Sequence, residues 1–429
     1  MKRVVLIDGC RLPFLKAGTA YKDLMAYELG KMAVQGLLKR TQLNPELIDT
    51  LIMGTVIHQL KTSNVAREAA LSAGLPFKTF CHTVSMACIS ANRAICDAAD
   101  QIALGHVKIA VAGGTEAVSD TPISFPKAMR QKLFDAQKMK SAGDYLRFAV
   151  KIRPSDFMPE VPAIAEFSTK RTMGQDCDRL ADRIGVSRQE QDLFAVRSHQ
   201  LAYLAAKEGW LDEEIIPAAF PPDFLPVGGD NGIRPDTDFE KISTLPPAFH
   251  KPNGTLTAAN SSFLTDGAAV VLLMEEETAL ALGYKPKAIL RNYTFSAQNP
   301  EDELLLGPAY AIAKLLGKEK VSLNDIQVVE MHEAFAAQVL ANIKCLASDQ
   351  FAQDKLGQSH AVGQIDMDTL NLWGGSLAIG HPFGATGARL LTTAANRMVK
   401  EKSRFGLIAS CAAGAHGHAM LLEQYEMRG

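Results

Sequence analysis

"AVQGLLKRTQLNPELIDTLIMGTVI" (residues 33–57) and "AIAKLLGKEKVSLNDIQVVEMHEAF" (residues 311–335) align without a gap at an offset of 278 positions. Each reads as the end of a helix, a polar turn and an apolar strand. Further out, "CISANRAICDAADQ" (88–101) overlays "GATGARLLTTAANR" (384–397) at an offset of 296. The chain therefore reads as a duplication. β-branched runs alternate with helical periodicity in both halves: "RVVLIDG", Leu29 to Leu38, "IDTLIMG", a helix from about Cys88 to Leu104 and "VKIAVAGG" in the first. "AILRNY", "AYAIAKLLG", "IQVVEMHEAF", a helix from about Gly384 to Met398 and "FGLIASC" follow in the second. This alternation predicts an α/β fold of two βαβαβ-type halves with a parallel, helix-covered sheet. The expected division is an N-terminal half over 1–121 and 247–284, a proline- and charge-rich inserted loop domain over 122–246, and a C-terminal half over 285–429. Face to face, two such halves bring Cys88 and the His381 turn to one seam.

Composition narrows the function. With 429 residues, 47% hydrophobic and 21% charged, the chain suits a globular protein with a sizeable core. A formal net charge of −2 without a long basic stripe argues against nucleic acid as the main ligand. The longest apolar runs fall short of the roughly 20 residues of a membrane span. "MKRVVLID" reads as a strand rather than a signal peptide, so cytoplasmic residence is expected. The seven cysteines are odd in number, scattered and without a CxxC pair, which points to neither a disulfide framework nor a zinc site.

Four places carry candidate chemistry. Cys88, in "TVSMACISANRA", stands at the expected start of a helix, where the dipole lowers a thiol's pKa from about 8.5 towards neutrality. His381, in "LAIGHPFGATGARLL", is held by proline and glycines and can take a proton from a neighbouring thiol. Cys411 ends a buried strand in "LIASCAAGAHGHA", at the sheet edge where such folds bind ligands. His332 follows a strand in "EMHEAFAAQ". Zinc binding by His332, His381, His416 or His418 competes, but no HExxH or paired-ligand spacing supports it.

"SMACISANRA", "AGGTEAVS", "GTLTAANSSFLTDGAA", "MHEAFAAQ", "GGSLAIGHPFGATGAR" and "CAAGAHGHAM", together with the long "TMGQDCDRLADRIGVSRQEQ…" run, fall in the order found in thiolases. The resemblance spans almost the whole chain. Within the family, "HEAF" in place of "NEAF" and the long basic insertion are similar to the 3-ketoacyl-CoA thiolase subunits of fatty-acid β-oxidation trifunctional complexes.

The resemblance implies a layered α/β/α/β/α core, a nucleophile at Cys88, its base at His381, an acid/base thiol at Cys411, and His332 where most members have an oxyanion-hole asparagine. It implies a backbone oxyanion hole at Cys88 and Ala413, and contacts from Ser262 and Met173 to CoA, a co-substrate rather than a cofactor. No metal is implied. Ala413 and Ala415 replace glycines of the usual CxGGG loop, and Ala413 keeps its N–H donor if its φ is negative. The expected partners are 3-ketoacyl-CoA and CoA, a second copy in a homodimer, and a hydratase/dehydrogenase α subunit. A condensing acetoacetyl-CoA thiolase and a silent acyl-CoA-binding scaffold are the rivals. Lys127 to Arg153 carries eight Lys and Arg against two Asp, an excess of +6. That stretch reads either as a solvated surface or as a platform for a polyanion, a membrane or a partner.

Overall fold

The computed structural model describes residues 1–160 and 165–425; residues 161–164 of the expected insert and 426–429 of the expected C-terminal half lie outside them. Ten strands form the framework: β1 (Val4–Arg11), β2 (Leu15–Lys16), β3 (Thr50–Gly54), β4 (Phe80–Val84), β5 (Ile109–Glu116), β6 (Thr265–Glu275), β7 (Ala288–Ala297), β8 (Val328–Met331), β9 (Phe405–Ala412) and β10 (His416–Gln424). Nine lie in the order β4-β3-β5-β6-β1-β7-β10-β9-β8, with β2 paired to β6. Apart from β4, which has no counterpart, the order is symmetric about the β1–β7 junction, where Val5 with Ile289 and Leu6 with Ala288 join the half-sheets.

The duplication holds in register at the helix ends, the turns and the strand starts, although the helices differ in length. The helix Ala26–Thr41 ends on Gln42 at φ 54°, and the helix Gly307–Glu319 ends on Lys320 at φ 55°, 278 positions later. The 3₁₀ turns Pro45–Leu47 and Leu323–Asp325 then lead into β3 and β8. The helices Ser90–Ala103 and Thr386–Glu401 start 296 positions apart, each two residues later than the sequence suggests.

The expectation of a parallel sheet is corrected. Only β3 with β4, β3 with β5 and β8 with β9 run parallel, whereas β1, β6, β7 and β10 enter antiparallel and make the sheet mixed. All eleven residues of β6 are buried, so both of its faces are apolar and the strand lacks the alternation that marks a half-exposed antiparallel strand.

Three apolar clusters separate the layers. Leu51 and Met53 point to the outer helices Ala26–Thr41 and Val65–Ala73, while Ile52 points inward. The inner cluster gathers Ala91, Ile95, Ala388 and Leu391 of the two central helices between the half-sheets. A third cluster lies between the second half-sheet and the helices Gly307–Glu319 and Ala336–Leu346. The five layers are thus helices, half-sheet, central helix pair, half-sheet and helices. The chain between β5 and β6 is bound to this core, since Cys177, Leu180 and Phe194 join the third cluster. Buried Arg11 also pairs with Glu214 at 2.7 Å and Asp230 at 2.6 Å.

Glycine is required where the halves meet. A Cβ on Gly114 would sit 1.8 Å from the Gly384 carbonyl oxygen, so the end of β5 and the His381 turn approach backbone to backbone.

Candidate active site

That approach sets the distance across the seam. Glu116, fully buried at the end of β5, accepts the Gly384 N–H at 2.8 Å, the Ile57 N–H at 2.9 Å and the Val56 N–H at 3.1 Å. Burial pushes its carboxyl up to about 7 against those donors. Gly380, at φ 110°, turns the chain into His381, whose N–H donates to Thr265 Oγ1 at 3.0 Å. The imidazole Nδ1 lies 2.7 Å from Thr386 Oγ1 in the first turn of the helix Thr386–Glu401. The Thr386 hydroxyl also lies 3.1 Å from Pro382 O, and with its proton directed there its lone pair can receive Nδ1–H, the arrangement that leaves Nε2 as the base.

Cys88 sits on a tight turn. Ala87 has φ 46°, and Ser90 Oγ accepts the Met86 N–H at 2.8 Å while donating to Ala87 O at 2.7 Å. The thiol faces two histidines: one ring nitrogen each of His332 and His381 and the Cys88 sulfur lie within 4.8 Å of one another. The rings stand 4.0 Å apart between centroids, with His332 Nδ1 at 3.2 Å from Ser376 Oγ. The backbone N–H groups of Cys88 and Ala413 also reach the Cys88 sulfur and favour its anion. Ala413 keeps a negative φ, whereas Gly414 and Ala415 turn the loop at 81° and 56°.

The expected low pKa of Cys88 is corrected. The helix begins at Ser90, two residues on, and burial outweighs the backbone donors, pushing the thiol up to about 11. Burial lowers His381 to about 3 and holds His332 well below its ordinary value, so the resting pair is neutral thiol and neutral imidazole. Cys411, at the end of β9, is raised well above the ordinary thiol value by burial and then by Cys88. All seven cysteines are free.

Cys88, His381, Cys411 and Ala413 line one cavity of about 540 Å³. Met173 and Ser262 line it too, at the start of the helix Met173–Ile184 and just before β6. Phe249, Phe335 and Phe383 supply much of its apolar wall. Of the four histidines in the zinc alternative, only His332 and His381 come together. His418 is buried elsewhere, with Nδ1 at 3.0 Å from Asn92 Nδ2 and Nε2 at 3.6 Å from Cys96 Sγ.

Sequence reasoning missed the supports: Glu116, Thr265, Ser376 and Thr386, together with Glu166, whose carboxylate accepts the Gly414 N–H from the inserted segment. A lone carboxylate closing the apolar run of β5 was the one visible signal.

A nucleophilic thiol beside a neutral base, with paired N–H donors and a second thiol in an apolar cavity, can carry an acyl group as a cysteine thioester, which defines an acyltransferase site. The comparisons agree. Residues 4–277 match the N-terminal thiolase domain and residues 284–424 the C-terminal thiolase domain. The chain belongs to the thiolase family. It is 52% identical over 425 residues to the mitochondrial trifunctional enzyme subunit β of Mus musculus, covering 99% of this chain and 89% of that one. It is 50% identical to a probable 3-ketoacyl-CoA thiolase of Caenorhabditis elegans, covering 99% and 95%. The crystal structure of Bacillus anthracis acetyl-CoA acetyltransferase superposes with a TM-score of 0.84 at 31% identity, covering 99% of both chains.

Proposed function

We propose that the protein cleaves 3-ketoacyl-CoA with CoA into acetyl-CoA and a shortened acyl-CoA, in fatty-acid β-oxidation. The observation that carries this reading is that two donor sets meet at one sulfur: the imidazoles of His332 and His381, and the N–H groups of Cys88 and Ala413. The reaction develops charge on two oxygens in turn.

His381 Nε2 takes the Cys88 proton as sulfur attacks the keto carbon, and the resulting oxyanion receives the Cys88 and Ala413 N–H bonds. The tetrahedral adduct collapses by breaking the bond between C2 and C3. Its electron pair passes into the acetyl-CoA enolate, whose oxygen faces His332 and protonated His381. Cys411 protonates the enolate carbon, and acetyl-CoA departs. The Cys411 thiolate then takes the proton of an incoming CoA thiol, whose sulfur attacks the Cys88 thioester. Departing Cys88 recovers its proton from His381. Neutral resting groups suit this cycle, because charge is created only as the acyl bond forms. CoA serves as co-substrate, its pantetheine arm running past Met173 and Ser262. Thiolysis assays across short to long ketoacyl chains test the reading: CoA-dependent loss of the ketoacyl absorbance supports it, and its absence leaves the scaffold.

The family resemblance supports a homodimer joined by a hydratase/dehydrogenase α subunit, and the mouse relative is by name subunit β of a trifunctional enzyme, which supports a partner subunit. The inserted helices Lys127–Ala136 and Ala142–Lys151 are the surface we assign to that partner or to an anionic membrane. Phe134, Leu146 and Val150 are 66%, 69% and 80% exposed there. Asp156 and Glu160 lower the local excess from +6 to +4, and Lys132 is bound to Asp156 at 2.5 Å. Cytoplasmic residence belongs to the same proposal; the mouse relative is by name mitochondrial, and subcellular fractionation decides.

A further inference from the structure

His332 can face the enolate oxygen with a lone pair or with a proton, and only the proton stabilises it. Its Nε2 has no hydrogen-bond partner among the described residues, so what happens at Nδ1 decides which tautomer is present. Nδ1 lies 3.2 Å from Ser376 Oγ, and the same hydroxyl oxygen lies 3.2 Å from Arg389 Nη2. His332, Ser376 and Arg389 are all fully buried.

The accounting has two solutions. Guanidinium donates and never accepts, so Arg389 occupies one lone pair of Ser376 Oγ. If Ser376 then donates to Nδ1, the hydroxyl and Nδ1 are both satisfied, the ring proton sits on Nε2, and that N–H is left free to meet a substrate oxygen. If Nδ1–H donates instead, the buried Ser376 proton has no acceptor among the described residues and Nε2 is left as an unpaired acceptor, one unsatisfied group more than in the first arrangement. Arg389 is anchored from behind by buried Glu330 at 3.5 Å, which also accepts from Arg397 at 2.8 Å.

Resting on the thiolase reading above, we infer that Arg389 and Ser376 form a positioning relay that fixes His332 as the Nε2–H tautomer and makes it a hydrogen-bond donor to the enolate oxygen. Neither Arg389 nor Ser376 touches substrate. His381, 4.0 Å from His332 between ring centroids, is set oppositely by Thr386, which keeps its Nε2 free as the base. Two neutral imidazoles side by side thus do different work because a threonine accepts from one and a serine donates to the other.

The test is nitrogen NMR of the whole protein with ¹⁵N-histidine; there are ten histidines, and His332→Asn identifies the ring in question. The expected wild-type spectrum has a pyrrole-type Nε2 and a pyridine-type Nδ1 for His332. In Ser376→Ala the spectrum moves to a mixture or to the Nδ1–H form. With it kcat falls about 10- to 100-fold, less than the roughly 100- to 1000-fold of losing an oxyanion donor outright because part of the Nε2–H form remains, while KM stays within about twofold. Ser376→Cys, a weaker donor of similar size, falls between. A wild-type ring protonated on Nδ1 overturns the relay without any variant, as does Ser376→Ala with both spectrum and kcat unchanged. The spectrum is read without turnover, so an inactive wild-type protein with the expected spectrum counts against the thiolase reading and leaves the tautomer assignment standing.

Discussion

Replacing Thr386 with valine removes one oxygen and keeps the shape of the side chain, at a fully buried position. The Pro382 carbonyl that Thr386 also reaches keeps two other donors, Ala385 N–H at 2.9 Å and Thr386 N–H at 3.1 Å. His381 Nδ1–H is therefore the group left without a partner. When His381 takes the Cys88 proton this N–H belongs to a cation, and a hydrogen bond to a charged group contributes about 1.5–3 kcal/mol. At about 1.4 kcal/mol per decade, acylation of Cys88 should slow about 10- to 150-fold. The assay is single-turnover acylation, with active sites counted by alkylation so that misfolded protein does not enter the rate. Thr386→Ser keeps the oxygen and should stay within about threefold of wild type. A valine variant that also stays within about threefold would refute the argument that the short Nδ1 contact supports the base.

Because burial holds the Cys88 thiol near 11, its inactivation by iodoacetamide should climb roughly tenfold per pH unit from pH 7 to 9. A plateau reached by pH 7 would reveal a thiolate–imidazolium pair instead. Dialysis against EDTA should leave thiolysis unchanged, while added Zn²⁺ should inhibit reversibly, since the Cys88, His332 and His381 atoms lie close enough to share an ion. Inhibition by EDTA would speak for a working metal. Charge reversal at Lys127, Lys138, Lys140 and Lys151 should weaken co-sedimentation with anionic liposomes or α-subunit pull-down and spare thiolysis of a short ketoacyl-CoA. Lys132 is left intact because it donates to Asp156 and to Lys151 O within the insert. Unchanged association would return these helices to a solvated surface.

The duplication was legible because helix ends, turns and strand starts recur at a fixed offset, so the αL ends at Gln42 and Lys320 and the strands behind them coincide. Strand direction was not legible. β6 and β9 are buried along their whole lengths, and an apolar run buried on both faces looks alike in parallel and antiparallel ladders. The resemblance named Cys88, His381, Cys411 and His332, and the fold brings Cys88, His381 and Cys411 to one cavity with His332 against His381. Their protonation was misread at Cys88, since a helix N-terminus is visible in sequence while the apolar wall of Phe249, Phe335 and Phe383 is assembled from distant segments. The supports stayed hidden for the same reason: Glu116 bonds Gly384 across 268 positions, and Glu166 reaches Gly414 across 248.

The central claim is that acyl groups pass through Cys88, and peptide mass spectrometry after incubation with acyl-CoA tests it most directly. The account predicts an acyl adduct on the Cys88 peptide of the wild-type protein, a retained though slower adduct in Cys411→Ala, and none at the site in Cys88→Ala. An adduct on another active-site residue of Cys88→Ala, or CoA-dependent turnover by that variant, would contradict it.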